Sequence, residues 1–233
     1  QNLPLSGFKE WQDDLKKAIT FSPPHISIYD LNIENGTVFK KLVNLGKLKL
    51  PSDEEAFRNS ESTHSILKNS GYSRYEISNY CLPRHQSRHN RVYWSGLGWW
   101  GFGQGSTSSP WGEKLTRPRV SNEYKKWVIG QCELNLDSSL TNKNFVYEEL
   151  DEKIMLGLRL KEGLDIKEVF KEQNWENKKI ESNLSKLLKE WERFLESGLL
   201  VRKGNRFFLS EPKGMELSNQ VLVSMFKWWD KIN

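Results

Sequence analysis

A strand, a helix and a second strand follow one another between His25 and Ile77, and this order constrains the fold more than any other feature. Pro23-Pro24 closes a preceding amphipathic helix whose apolar face carries Phe8, Trp11, Leu15, Ala18 and Ile19. His25-Ile26-Ser27-Ile28-Tyr29-Asp30-Leu31 then alternates apolar with small or polar side chains, as a strand does. Gly36 to Pro51 reads as a loop. Ser52 and Glu55 have capping-box spacing and open a helix expected from Asp53 to Asn69, with Gly71 at its C′ position. Tyr72 to Ile77 is the second strand. Such a βαβ order implies a parallel sheet covered by helices. Only two or three strands precede the glycine-rich segment, too few to bury both faces of a sheet. Residues 1–120 therefore read as the end of a larger α/β domain.

Beyond Ser121 the pattern changes. A short helix carries Tyr124, Trp127 and Val128, and the polar run Glu133 to Lys143 reads as a linker. Helices are then expected from Val146 to Leu160, from Asp165 to Gln173 and from Lys178 to Glu196, the last with Leu184, Leu187, Leu188, Trp191, Phe194 and Leu195 inward. Lys203-Gly204-Asn205 joins two short apolar runs as a hairpin, and a last helix runs from Gly214 to Trp229. The expectation is two domains. Residues 1–132 form the α/β part, and residues 143–233 form a small α+β, winged-helix-like module.

No window approaches 18 apolar residues, so no membrane span is expected. Gln1-Asn2-Leu3-Pro4-Leu5 lacks the basic start and apolar run of a signal peptide. Cys81 and Cys132 form no CxxC pair, which fits a reducing, cytoplasmic location and cannot supply a four-cysteine iron–sulfur cluster. Residues 1–142 carry 18 basic against 14 acidic side chains, whereas residues 143–233 carry 17 against 16. An anionic ligand is thus expected on the first part, where Arg84, Arg88, Arg91, Arg117 and Arg119 lie.

The run Arg88-His89-Asn90-Arg91-Val92-Tyr93-Trp94 supplies chemistry for one class of ligand. Imidazole can donate a lone pair to iron. Guanidinium groups pair with carboxylates two hydrogen bonds at a time. Aromatic rings give broad contact. Heme offers an iron, two propionates and a flat apolar face. His89 is the candidate axial ligand and His85 the second choice. Arg84, Arg88 or Arg91 would pair the propionates, and Tyr93 and Trp94 would pack the ring, on a segment read as a loop. The structural alternative makes Tyr93 and Trp94 core residues and Asn90 the cap of a turn. Trp94, Trp99, Trp100 and Trp111 cluster near Gly96, Gly98, Gly101, Gly103 and Gly105, where the backbone could approach a ligand.

Several separate motifs, in order, resemble a known family. Tyr75-Glu76-Ile77-Ser78-Asn79-Tyr80, His85 through Trp94, and Gly101-Phe102-Gly103 resemble the YEISN…HNxxYW…GxG run of the oxygen-independent coproporphyrinogen III oxidase-like proteins, closest to the HemW branch of heme chaperones. Pro24 through Leu31 with Gly36-Thr37-Val38-Phe39, and later Gly157-Leu158-Arg159-Leu160, Gly198-Leu199-Leu200 and Leu217-Ser218-Asn219, look like further segments of that branch. The resemblance implies the C-terminal part of a radical S-adenosylmethionine partial TIM-like barrel, followed by the winged-helix-like domain. It implies heme binding through His89 with Asn90, Tyr93, Trp94, Arg88 and Arg91, and transfer to a heme-recipient protein. It places Tyr29, Gly101, Gly103 and Thr107 at the S-adenosylmethionine cavity. The CxxxCxxC motif that holds the 4Fe-4S cluster of full-length relatives is absent here, so no cluster is expected in this chain. The chain departs from the pattern at Ser87, where relatives carry cysteine, at Arg84, where they carry glycine, and at Thr107, where many carry histidine.

Two other functions compete. Oxidative decarboxylation of a porphyrinogen needs the missing cluster. Nucleic-acid binding through the helix Lys178–Glu196 would need a clear positive excess, and that helix carries five basic against four acidic residues, so this partner is not expected.

Overall fold

The computed structural model describes residues 1–133 and 149–232. Most of the expected linker 133–143, the start of the expected domain at 143 and the start of the expected helix at 146 lie outside the described residues. The chain divides into two compact units, Gln1–Ser87 with Leu158–Asn233, and Arg88–Gly157.

The first unit opens with helix α1 (Phe8–Thr20), followed by strand β1 (His25–Ser27), helix α2 (Val38–Asn44), helix α3 (Asp53–Asn69) and strands β2 (Ser73–Arg74) and β3 (Asn79–Cys81). The start of α3 is set by the reciprocal bonds its sequence encodes: the Glu55 amide donates to the Ser52 hydroxyl at 3.3 Å and the Ser52 amide donates to the Glu55 carboxylate at 2.8 Å. Its end is a Schellman turn. Gly71 has φ +87°, its N–H reaches the Lys68 carbonyl, and the Tyr72 N–H reaches the Leu67 carbonyl. Leu15, Leu67, Tyr72 and Tyr80 form the buried centre of this layer, flanked by Ile19, Ile26, Ile28, Ile66 and Leu82. Ala18, expected on the apolar face of α1, is exposed.

Two expectations about this first unit need correction. The expected loop 36–51 contains α2, capped by Thr37, whose hydroxyl accepts from the Lys40 amide at 3.2 Å. It has seven residues, none of them buried, and its Val38-Phe39 and Leu42-Val43 pairs span too short a window for helical periodicity to stand out. The sheet order is β1-β3-β2, and β3 runs antiparallel to both neighbours. The strands on either side of α3 do share a direction, as a βαβ unit requires. The chain then reverses after β2, closed by the Tyr75 amide on the Asn79 carbonyl, and β3 inserts between them. A turn inside the YEISN run is invisible to alternation alone.

The same unit contains β6 (Leu164–Asp165), α7 (Ile166–Lys171), α8 (Asn177–Glu196), β7 (Leu200–Lys203), β8 (Arg206–Leu209), α9 (Lys213–Glu216) and α10 (Ser218–Ile232). The order β6-β8-β7, with the β7–β8 hairpin turning at Gly204 (φ +63°), gives a three-stranded antiparallel wing. α8 and α10 pack on each other, burying Leu184, Leu187, Trp191, Phe194, Val221, Met225 and Trp228; Phe170 stacks on Trp228 at 5.6 Å. This is the winged-helix-like arrangement.

The second unit contains α4 (Arg88–Trp94), strands β4 (Thr107–Ser108) and β5 (Leu115–Thr116), α5 (Ser121–Glu133) and most of α6 (Leu150–Leu158). The segment read as a loop around His89 is therefore a short helix.

Candidate functional site

α4 places His89 and Tyr93 one turn apart on the same face, where side chains four residues apart meet. Their rings touch edge to face at 4.9 Å, and Tyr93 meets Trp99 at 4.8 Å. The imidazole is exposed, and among the described residues no group hydrogen-bonds it. Arg88 is exposed beside it, and Asn90, Arg91, Tyr93 and Trp94 are half-buried. Between residues 88 and 132 only Ser108 and Ser109 are buried, so the aromatic side chains of this segment are not core. Leu97, Trp100 and Phe102 are exposed, Phe102 at 86%.

The two candidate glycines of this unit differ in kind. A Cβ on Gly101 would lie 2.3 Å from the Thr107 carbonyl oxygen, so its bare backbone serves close packing. Gly103 has φ +87° and open space around it, as a turn glycine does. Thr107 pairs with Thr116 across the β4–β5 ladder, hydroxyl to hydroxyl at 2.9 Å. Arg117 donates to the Ser106 and Ser108 hydroxyls and lies over the Trp127 ring.

Tyr29 and His85 belong to the first unit. His85 is exposed, and its Nδ1 donates to the Pro83 carbonyl at 2.9 Å, which leaves Nε2 with the lone pair. Arg84 is exposed, at φ +69°. Tyr29, 63% exposed, lines a polar cavity of about 350 Å³ with Asp30, Arg74, Arg159, Glu216 and Asn219 among its walls. Burial lowers the Arg159 pKa, opposed by Glu76. Burial raises the Glu76 carboxyl above the usual range, against hydrogen bonds from Ser78 and Asn79 and the charges of Arg74 and Arg159. Sequence reasoning gave Arg74, Arg159 and Glu216 no role. The available signal for Arg74 was a pair of charged residues two positions apart, Arg74 and Glu76, within a run expected to be a strand.

Cys81 is buried and its thiol pKa is pushed up by that burial; Cys132 is exposed. No helix of the described residues is long and apolar enough to cross a membrane, and no group of three metal-ligating side chains occurs among them.

Residues 147–217 match a family model described as the HemN C-terminal domain. The chain is 34% identical over 234 residues to the heme chaperone HemW of Synechocystis sp., covering 96% of this chain and 56% of that protein. It is 29% identical to the heme chaperone HemW of Lactococcus lactis, covering 94% and 55%. It is 27% identical to the mitochondrial radical S-adenosyl methionine domain-containing protein 1 of Danio rerio, covering 95% and 48%. The chain thus spans about half the length of the curated relatives it matches. Among solved structures, coproporphyrinogen III oxidase (HemN) from Escherichia coli superposes with a TM-score of 0.65 at 15% identity, over 96% of this chain and 52% of that one. That likeness shows a shared fold: the chain has the architecture of the C-terminal part of the HemN radical SAM fold.

Proposed function

The chain is a HemW-like sequence that carries a HemN C-terminal domain, and we propose that it is the heme-binding portion of a heme chaperone. One observation carries this reading: an exposed imidazole, without a hydrogen-bond partner among the described residues, is steadied by a ring behind it. A histidine serving structure has its nitrogens satisfied by neighbours, whereas His89 presents them to solvent.

In this reading heme is cargo rather than a resident cofactor. His89 donates its lone pair to the iron. Arg88 and Arg91 offer planar donors to the propionates, and Arg suits a carboxylate better than Lys does because it binds two oxygens at once. Asn90 supplies an amide on the same helix. Tyr93 and Trp94 lie against the macrocycle. Release of the cargo then requires a recipient protein with a stronger ligand set. Two free cysteines suit a reducing compartment such as the cytoplasm.

Tyr29, on the polar cavity of the first unit, is the residue there that would meet S-adenosylmethionine; its phenol supplies a face for an adenine ring. Gly101, Gly103 and Thr107 are the corresponding candidates of the second unit. Two cysteines do not fit a four-cysteine cluster.

A second reading rests on His85. Its Nδ1–H bond to a carbonyl is the arrangement that orients metal-binding histidines, so His85 is the alternative iron ligand. Hemin titration followed by Soret absorbance separates the two. The intact chain is expected to bind, His89→Ala to lose the shift and His85→Ala to keep it. Loss in His85→Ala alone transfers the ligand role to His85. Equal spectra in all three remove both.

A further inference from the structure

We propose that Trp99 is a positioning residue for the axial imidazole, acting through Tyr93; this rests on the heme-binding reading of His89. Trp99 lies outside the HNxxYW run, and its role follows from how the chain folds back.

α4 ends in a Schellman turn. The Leu97 N–H reaches the Val92 carbonyl at 3.1 Å and the Gly96 N–H reaches the Tyr93 carbonyl at 3.2 Å, with Gly96 at φ +64°. This turn sends the chain back along α4. Residues 98–101 are then fixed against the segment 107–110. Trp99 and Ser109 exchange both backbone hydrogen bonds, at 3.2 and 2.8 Å, and the Gly101 amide donates to the Ser108 hydroxyl at 3.0 Å. Gly98 and Gly101 allow the approach: a Cβ on either would lie 2.3 Å from a carbonyl oxygen, of Pro110 and of Thr107. Ser108 and Ser109 are the buried anchors of this contact.

The indole of Trp99 is therefore held by backbone, and it bears on the Tyr93 ring at 4.8 Å. Tyr93 in turn bears edge-on against the His89 imidazole at 4.9 Å. A helix of seven residues has little rigidity of its own, and α4 buries no residue. Ring orientation at His89 is consequently set from outside the helix, by the Trp99 end of the ladder. Holding an imidazole in one orientation before iron arrives reduces the entropy lost on ligation.

The test uses the full chain, hemin, and the variants Trp99→Leu, Trp99→Phe and His89→Ala. Trp99→Leu is expected to weaken hemin binding roughly three- to tenfold, the worth of one aromatic pair, and to alter the electron paramagnetic resonance signal of the bound ferric heme. Trp99→Phe restores the signal. An unaltered signal and affinity in Trp99→Leu, with binding lost in His89→Ala, overturns the role of Trp99 and leaves the heme reading in place. Unchanged binding in His89→Ala overturns both. Should Trp99→Leu fail to fold, the unsubstituted chain decides: nuclear Overhauser contacts from the Trp99 indole to the Tyr93 ring are expected, and their absence overturns the proposal.

Discussion

Arg74 and Glu216, 142 residues apart in sequence, meet at 2.7 Å in the interior of the first unit. The guanidinium also donates to the Glu76 and Ile77 carbonyls, and the carboxylate accepts from Ser60. The pair ties the β2–β3 hairpin and α3 to the helix that closes the wing. It works with a second tie, the Glu76–Leu160 bridge and the Lys161 N–H on the Tyr75 carbonyl. Removing one partner leaves the other charge buried and unpaired. Glu216→Leu is expected to destabilise the chain by about 3–5 kcal/mol, and Arg74→Met with Glu216→Leu together by clearly less than the two single losses added. Urea denaturation of the singles and the double measures this; additive losses contradict the coupling.

Gly163 follows Leu160 at φ +58°, and a Cβ there would lie 1.9 Å from the Phe207 carbonyl oxygen. Gly163→Ala combines a left-handed backbone with a collision against the wing. A loss of at least about 2 kcal/mol is expected, read as a lower urea midpoint with unchanged slope. A variant as stable as the parent shows that the wing is free to move away.

Acid should weaken the fold. Burial lowers the pKa of His25 and of His64 below the ordinary 6.5, Glu211 opposing at His64. The unfolded chain then binds protons that the folded one does not. Their contribution is complete above about pH 6.5 and is lost as pH falls through the lowered folded values. Thermal melts between pH 7.5 and 5 are expected to show a falling midpoint, and His64→Gln a shallower fall. A midpoint rising toward pH 5 contradicts the assignment.

Gly101→Ala tests the packing beneath the aromatic ladder. The added methyl must displace the Thr107 carbonyl, at a local cost of about 1–3 kcal/mol. Hemin affinity should fall, while Gly103→Ala, in open space, strains only its own turn. Equal affinity in Gly101→Ala and the parent means that the 98–101 segment does not support the site.

Much of this was legible in residues. The capping box at Ser52–Glu55 and the turn at Gly71 are local devices, complete within a few positions, and sequence carries them fully. The inward stripe of α8 is a period-3.6 signal over twenty residues, and it held except at Leu188 and Leu195, which are half-buried. The reversal between Arg74 and Asn79 was not legible. It depends on a carbonyl-binding guanidinium and on a carboxylate 142 residues away. Nor could α2 be read, since seven residues are too few for a periodic signature to stand out. At the candidate site, sequence supplied His89 and its neighbours and gave Trp99 only as one of four clustered tryptophans, while its contact with Tyr93 depends on the turn at Gly96.

The scarcity of burial between residues 88 and 132 sets how unevenly this chain breathes. With Ser108 and Ser109 as its sole sequestered members, that stretch opens at small free-energy cost, whereas α8 must part from Trp228, Phe207 and Phe170 before its amides meet water. Deuterium should accordingly enter the α4–β5 stretch orders of magnitude sooner than α8. A segment that loosens on its own can rearrange without the rest of the molecule melting.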